Sequence, residues 1–161
     1  MSTRKFYLER LKAEAPVFVK VIRALPADKP EYRPHPKSRS APELAWMLAA
    51  SMEAAVELAE KHKVEWTEPT SERGVAAAAD AIETAQQELV KQVSDLKDEA
   101  WGREAQFLMG GQVVWKGAAG AMLWEFLFDA IHHRGQLSTY IRPMGGKVPS
   151  IYGPSGDDPA K

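Results

Sequence analysis

Apolar residues return at spacings of three and four along most of this chain, the period of a helix with one buried face. In the first such segment Leu8, Leu11, Ala15, Phe18, Ile22 and Leu25 form the stripe. Pro16 interrupts it, and proline inside a helix removes one backbone hydrogen bond, so a kink or short break is expected there. The second segment opens with Ser40-Ala41-Pro42-Glu43, a capping box with proline in the first turn, and continues through Leu44, Met47, Leu48, Ser51, Ala55 and Leu58. A third runs from about Val75 to Glu99, with Ala78, Ile82, Leu89, Val93 and Leu96 on one side. The fourth runs from about Gly117 to Pro143, where proline and then Gly145-Gly146 stop it.

The connections are long. Pro26 to Arg39 is rich in proline and reads as an extended strap, and Glu65 to Arg73 as a polar turn. Between Trp101 and Lys116, Gln112-Val113-Val114-Trp115 follows Gly110-Gly111, which suggests a short hairpin. The stretch from about Gly145 to Lys161 is rich in Gly, Pro and Asp and predicts an irregular tail. One domain over 1–161, all-α, built as a four-helix bundle, is the expected architecture.

Composition narrows the function classes. The net charge of −1 gives no basic footprint for nucleic acid. No run of 18 apolar residues spans a membrane, and the charged stretch Met1 to Arg10 lacks the apolar core of a signal peptide. The absence of cysteine excludes disulfides, thiolate metal ligands and a protein thiol nucleophile. A cytoplasmic protein is the resulting expectation.

The candidate chemistry lies on the last helix. Asp129 and His133 are four apart and stack on one face, where they can either share a metal ion or form a hydrogen-bonded pair. On a helical wheel Ala119, Met122, Leu123, Phe126, Ala130, His133, Leu137 and Tyr140 fall on the arc a bundle helix buries. Asp129 and Gln136 flank that arc, Glu125 lies further round, and His132 points away. Gln136 and Glu125 are the candidates for orienting His133 or moving a proton. Arg134 is expected to pair with a carboxylate or a helix-end carbonyl. Trp124, Leu127, Phe128 and Ile131 make the opposite side apolar too, which points to a homodimer through Trp124, Phe128 and Ile131, or to cover by the strap or tail.

Three blocks together resemble the DinB-like (damage-inducible protein) superfamily: Tyr32-Arg33-Pro34-His35-Pro36-Lys37-Ser38-Arg39-Ser40, the helix start Glu43-Leu44-Ala45-Trp46, and Asp129-Ala130-Ile131-His132-His133-Arg134-Gly135-Gln136-Leu137. Arg142-Pro143-Met144-Gly145-Gly146-Lys147-Val148-Pro149-Ser150-Ile151-Tyr152-Gly153 resembles one of its subfamilies. The resemblance spans nearly the whole chain. It implies an antiparallel bundle of up-down-down-up connectivity, usually dimeric, with a divalent ion, nickel or zinc, at one end. It further implies one histidine ligand from the second helix and two ligands four apart from the last, which fall on Asp129 and His133. Some relatives transfer low-molecular-weight thiols, and others are described as metal-dependent hydrolases.

Here the second-helix histidine position holds Met47, a soft and neutral donor poorly suited to Ni(II) or Zn(II) and ordinary as core filling. Two expectations follow. One is a metal-dependent transferase or hydrolase with an atypical ion site and a small-molecule substrate, rescued by Glu125 or by His35 from the strap. The other is a metal-free dimeric binding or stress-related bundle protein that has lost catalysis.

Overall fold

The computed structural model describes residues 3–159. Four long helices dominate: α1 (Thr3–Arg23), α2 (Ala41–Lys61), α3 (Gly74–Asp95) and, after a short α4 (Asp98–Gly102), α5 (Ala119–Ile141). A small sheet lies among them, with β1 (Lys63–Trp66), β2 (Glu104–Met109) and β3 (Gln112–Ala118) in the order β1-β2-β3. The all-α expectation is therefore corrected to a mostly helical fold with a three-stranded sheet.

Side-chain bonds fix the helix directions. Arg4, at the start of α1, donates to the Val93 carbonyl and to Asp98 near the end of α3. Arg23, at the end of α1, reaches Asp80 and Glu83 near the start of α3, so these two helices run in opposite senses. Trp46 Nε1 donates to the Gly74 carbonyl at 3.0 Å, which joins the starts of α2 and α3. Tyr7 packs on Trp124 and Glu14 on Arg134, so α1 and α5 run the same way.

The capping box at Ser40 forms as the sequence predicts. The Glu43 carboxylate accepts the Ser40 N–H at 2.5 Å, and Ser40 Oγ accepts the Glu43 N–H at 3.4 Å. The Ser40 backbone N–H, with help from its hydroxyl and from Arg33 and Arg39, holds the Glu43 carboxyl below its ordinary range. Pro16 sits inside a continuous α1 rather than ending a helix. The third helix stops at Asp95, earlier than its apolar stripe suggests, and Leu96 is extended.

The hairpin is longer than expected. Gly110 and Gly111 turn it with φ of +58° and +77°, values that favour glycine. The stretch read as a polar turn instead opens with the last two residues of β1, which pairs in parallel with β2 and buries its own Val64. Trp101 of α4 lies directly on the start of α5, where Gly120 leaves room for the indole.

The core runs between the four long helices and includes Leu11, Phe18, Ile22, Leu48, Leu58, Ile82, Leu89, Met122, Leu123 and Leu137. Leu127, expected on an outward apolar face, is buried as well. The tail has no helix or strand among its described residues, yet it is pinned. Lys20 donates to Ser150, Arg142 to Asp157, and Met144 is buried.

Candidate functional site

The rotation of α5 determines which of its polar side chains meet the strap. Its inward positions are Ala130, Arg134, Leu137 and Tyr140, all buried. Arg134 is 1% exposed and pairs with Glu14 of α1 at 2.6 Å. Its second Nη donates to the Tyr152 hydroxyl at 2.6 Å, and that hydroxyl in turn donates to the Glu14 carboxylate at 3.0 Å. The guanidinium also lies over Phe18, 4.7 Å from the ring centre. The predicted pairing of Arg134 with a carboxylate is thus met by a buried pair capped from the tail. With Arg134 turned inward, His132, His133 and Gln136 fall on the side facing the strap.

There they line an open cavity of about 760 Å³ together with Arg39, Leu44, Ile131, Thr139 and Tyr140. The strap wall is held by Tyr140, whose hydroxyl donates to the Arg39 carbonyl at 3.1 Å and whose ring meets Tyr32 edge-on. Burial pushes the Tyr140 phenol above its ordinary range, which keeps it a neutral donor. Arg39 itself forms an ion pair with Glu68.

The polar groups form an ordered chain. Gln136 Nε2 lies 2.9 Å from His132 Nε2, and Gln136 Oε1 lies 2.8 Å from His133 Nδ1. In this orientation the carboxamide donates to His132 and accepts from Nδ1–H of His133. Nε2 of a neutral His133 then carries a lone pair, 3.4 Å from Asp129 Oδ1. Two acceptors facing each other are reconciled by a proton on Nε2, which makes an ion pair, or by a cation between them.

The sequence-predicted ion site is only partly assembled. Asp129 and His133 do come together, with the Asp129 side chain 55% exposed. Among the described residues no three His, Asp or Glu side chains gather into a metal-binding group. Met47 is half-buried, not a full core residue as its stripe suggests, and it does not line the cavity. Glu125 is exposed and is not part of the lining either. His35 is exposed on the strap, where its Nδ1 accepts the Lys37 N–H at 3.1 Å. A catalytic zinc-type site needs about three protein ligands and an open position. Two donors, one of them half in water, do not fit a tightly held resident ion.

Arg39, Thr139 and Tyr140 are cavity residues that sequence reasoning did not single out. The only available signal was their position, one residue before the capping box and one turn past the Asp129–Gln136 block.

On the outer side of α5, Phe128 is 54% exposed and stacks on Trp124 at 5.3 Å, and Phe6 of α1 joins them. Trp124 and Ile131 are half-buried. Neither the strap nor the described tail removes Phe128 from water.

A family model described as the DinB family matches residues 1–160. Among solved structures, a DinB-like protein from Bacillus subtilis is similar at 20% identity, with 90% of this chain and 96% of that one covered and a TM-score of 0.70. A DinB-like protein from Bacillus cereus is similar at 17% identity, with 91% and 95% covered and a TM-score of 0.74. Curated protein sequences give no match. At these identities the structural likeness bears on fold alone.

Proposed function

The chain belongs to the DinB family, and from that membership we propose a small-molecule-binding bundle protein that works without a tightly held resident metal. The observation that carries this reading is the donor count: Asp129 and His133 meet, Met47 replaces the third ligand that the resemblance implies, and nothing else among the described residues joins them. The cavity beside them supports binding. Its volume suits a small metabolite. The ordered His132–Gln136–His133 chain offers donors and acceptors at fixed positions, while Leu44 and Ile131 supply apolar wall.

The reading extends to a homodimer through Trp124, Phe128 and Ile131. The stack of exposed Phe128 on half-buried Trp124 supports it, since an exposed aromatic patch marks an interface and two-fold dimers are the commonest oligomers.

A metal-dependent transferase or hydrolase is the second reading, favoured by the lone pair of His133 turned toward Asp129. An ion there would lower the pKa of a bound water or incoming thiol. With no cysteine in the chain, the thiol would belong to the substrate.

Thermal stabilisation by polar metabolites and low-molecular-weight thiols separates the two. A ligand that binds the folded state raises the unfolding temperature by mass action. The proposed reading predicts the same shift with and without EDTA, lost in Gln136→Ala. A shift seen only with added Zn²⁺ or Ni²⁺ would overturn it in favour of the second.

A further inference from the structure

Between α1 and α3, on residues the site above does not use, lies a second cavity of about 590 Å³. Ala15, Pro16, Val19 and Val90 give it apolar walls, the charged side chains of Lys12, Lys20, Arg23 and Glu83 also line it, and so does Gln86. Gln86 is 2% exposed, and neither Oε1 nor Nε2 of its carboxamide has a hydrogen-bond partner. A buried amide with both atoms unpaired is rare in a folded protein and calls for a ligand or an ordered water.

We propose that this cavity binds a small planar molecule with a cis-amide edge, an N–H beside a C=O in one ring, as in a lactam or ureide heterocycle. The chemistry follows from what Gln86 lacks. Its Nε2–H needs an acceptor and its Oε1 needs a donor, side by side, and a ring cis-amide presents that pair. A lone carboxylate would satisfy only the donor, and an alkyl chain neither. The carboxamide is covered in the empty cavity, so it must turn to meet the ring. Its last torsion is broad, and the turn breaks no hydrogen bond, because none is made. The flat apolar body of the ring then rests on Pro16, Val19 and Val90.

Titration of the full isotope-labelled chain with 2-pyridone, followed by NMR, tests this. The expected result is saturable shifts of the Val19 and Val90 methyls and of the Gln86 side-chain NH₂. N-Methyl-2-pyridone keeps the shape but loses the donor, and should bind at least about tenfold more weakly, a loss of about 1.4 kcal/mol. Gln86→Leu should lose 2-pyridone binding to a similar degree while staying folded, since it removes the unpaired amide. Absent shifts, shifts confined to the cavity at His132 and Gln136, or equal binding by the N-methyl analogue or by Gln86→Leu would each overturn the assignment.

Discussion

Replacing Glu14 by alanine removes the carboxylate that neutralises Arg134 in the core. Arg134 is 1% exposed and Glu14 is 5% exposed, so the guanidinium cannot turn to water without unpacking α1 from α5. Breaking a buried pair by removing one partner costs about 3–5 kcal/mol, because the other charge stays buried alone. The Tyr152 hydroxyl and the Phe18 ring remain against Arg134, but neither carries a full negative charge. The expected loss is therefore about 3–5 kcal/mol, which for a chain of this size lowers the melting temperature by roughly 6–20 °C. Urea unfolding followed by circular dichroism measures it directly. The paired replacement Glu14→Leu with Arg134→Met removes both charges at similar volume and should cost less than Glu14→Ala alone. A Glu14→Ala loss within about 0.5 kcal/mol, the range of neutral surface changes, would refute the reasoning. So would a double variant as unstable as the sum of the singles.

Further outcomes follow from other contacts. Gln86→Leu should stabilise the ligand-free chain by about 1–3 kcal/mol in the same urea assay, because the desolvation penalty of an unpaired amide disappears. Gly120→Ala would drive a methyl into the Trp101 ring and should cost about 1–3 kcal/mol, seen as a lower urea midpoint and altered near-UV dichroism. Glu43 is held below its ordinary carboxyl range in the folded state, so its stabilising effect is present above pH 4.5 and is lost as pH falls through the lowered value. The stability gap between wild type and Glu43→Gln should therefore close on acidification, as read from unfolding curves at several pH values. Phe128→Glu should give a monomer by light scattering if the Trp124–Phe128 patch is the interface; an unchanged dimer would place the interface elsewhere.

What the sequence made legible was local. The Ser40–Glu43 capping box, the glycine turn at Gly110-Gly111 and the stripes of the long helices depend on residues a few positions apart, and the structure follows them, apart from the early stop of α3 at Asp95. What it hid was distant in sequence. Lys63-Val64-Glu65-Trp66 is too short to show alternation, and it becomes a strand only because β2, some forty residues on, offers its edge. The tail composition predicts irregularity, and no local signal shows that the Tyr152 hydroxyl closes a buried pair between α1 and α5. The site was half legible for the same reason. Spacing on one helix brought Asp129, His133 and Gln136 together, whereas Arg39 and Tyr140 join them through the fold of the strap. Glu125 was a candidate because it lies one turn before Asp129, although the wheel set it further round, and the structure leaves it exposed.

The central claim, a family cavity without a tightly held ion, meets its most direct test in the metal content of the untagged chain. Protein loaded with Zn²⁺ or Ni²⁺ and dialysed against metal-free buffer would be weighed by native mass spectrometry. The account predicts the metal-free mass for wild type, and a retained ion once Met47→His restores a third donor. One ion per chain that survives dialysis in wild type and is lost in Asp129→Ala would contradict it.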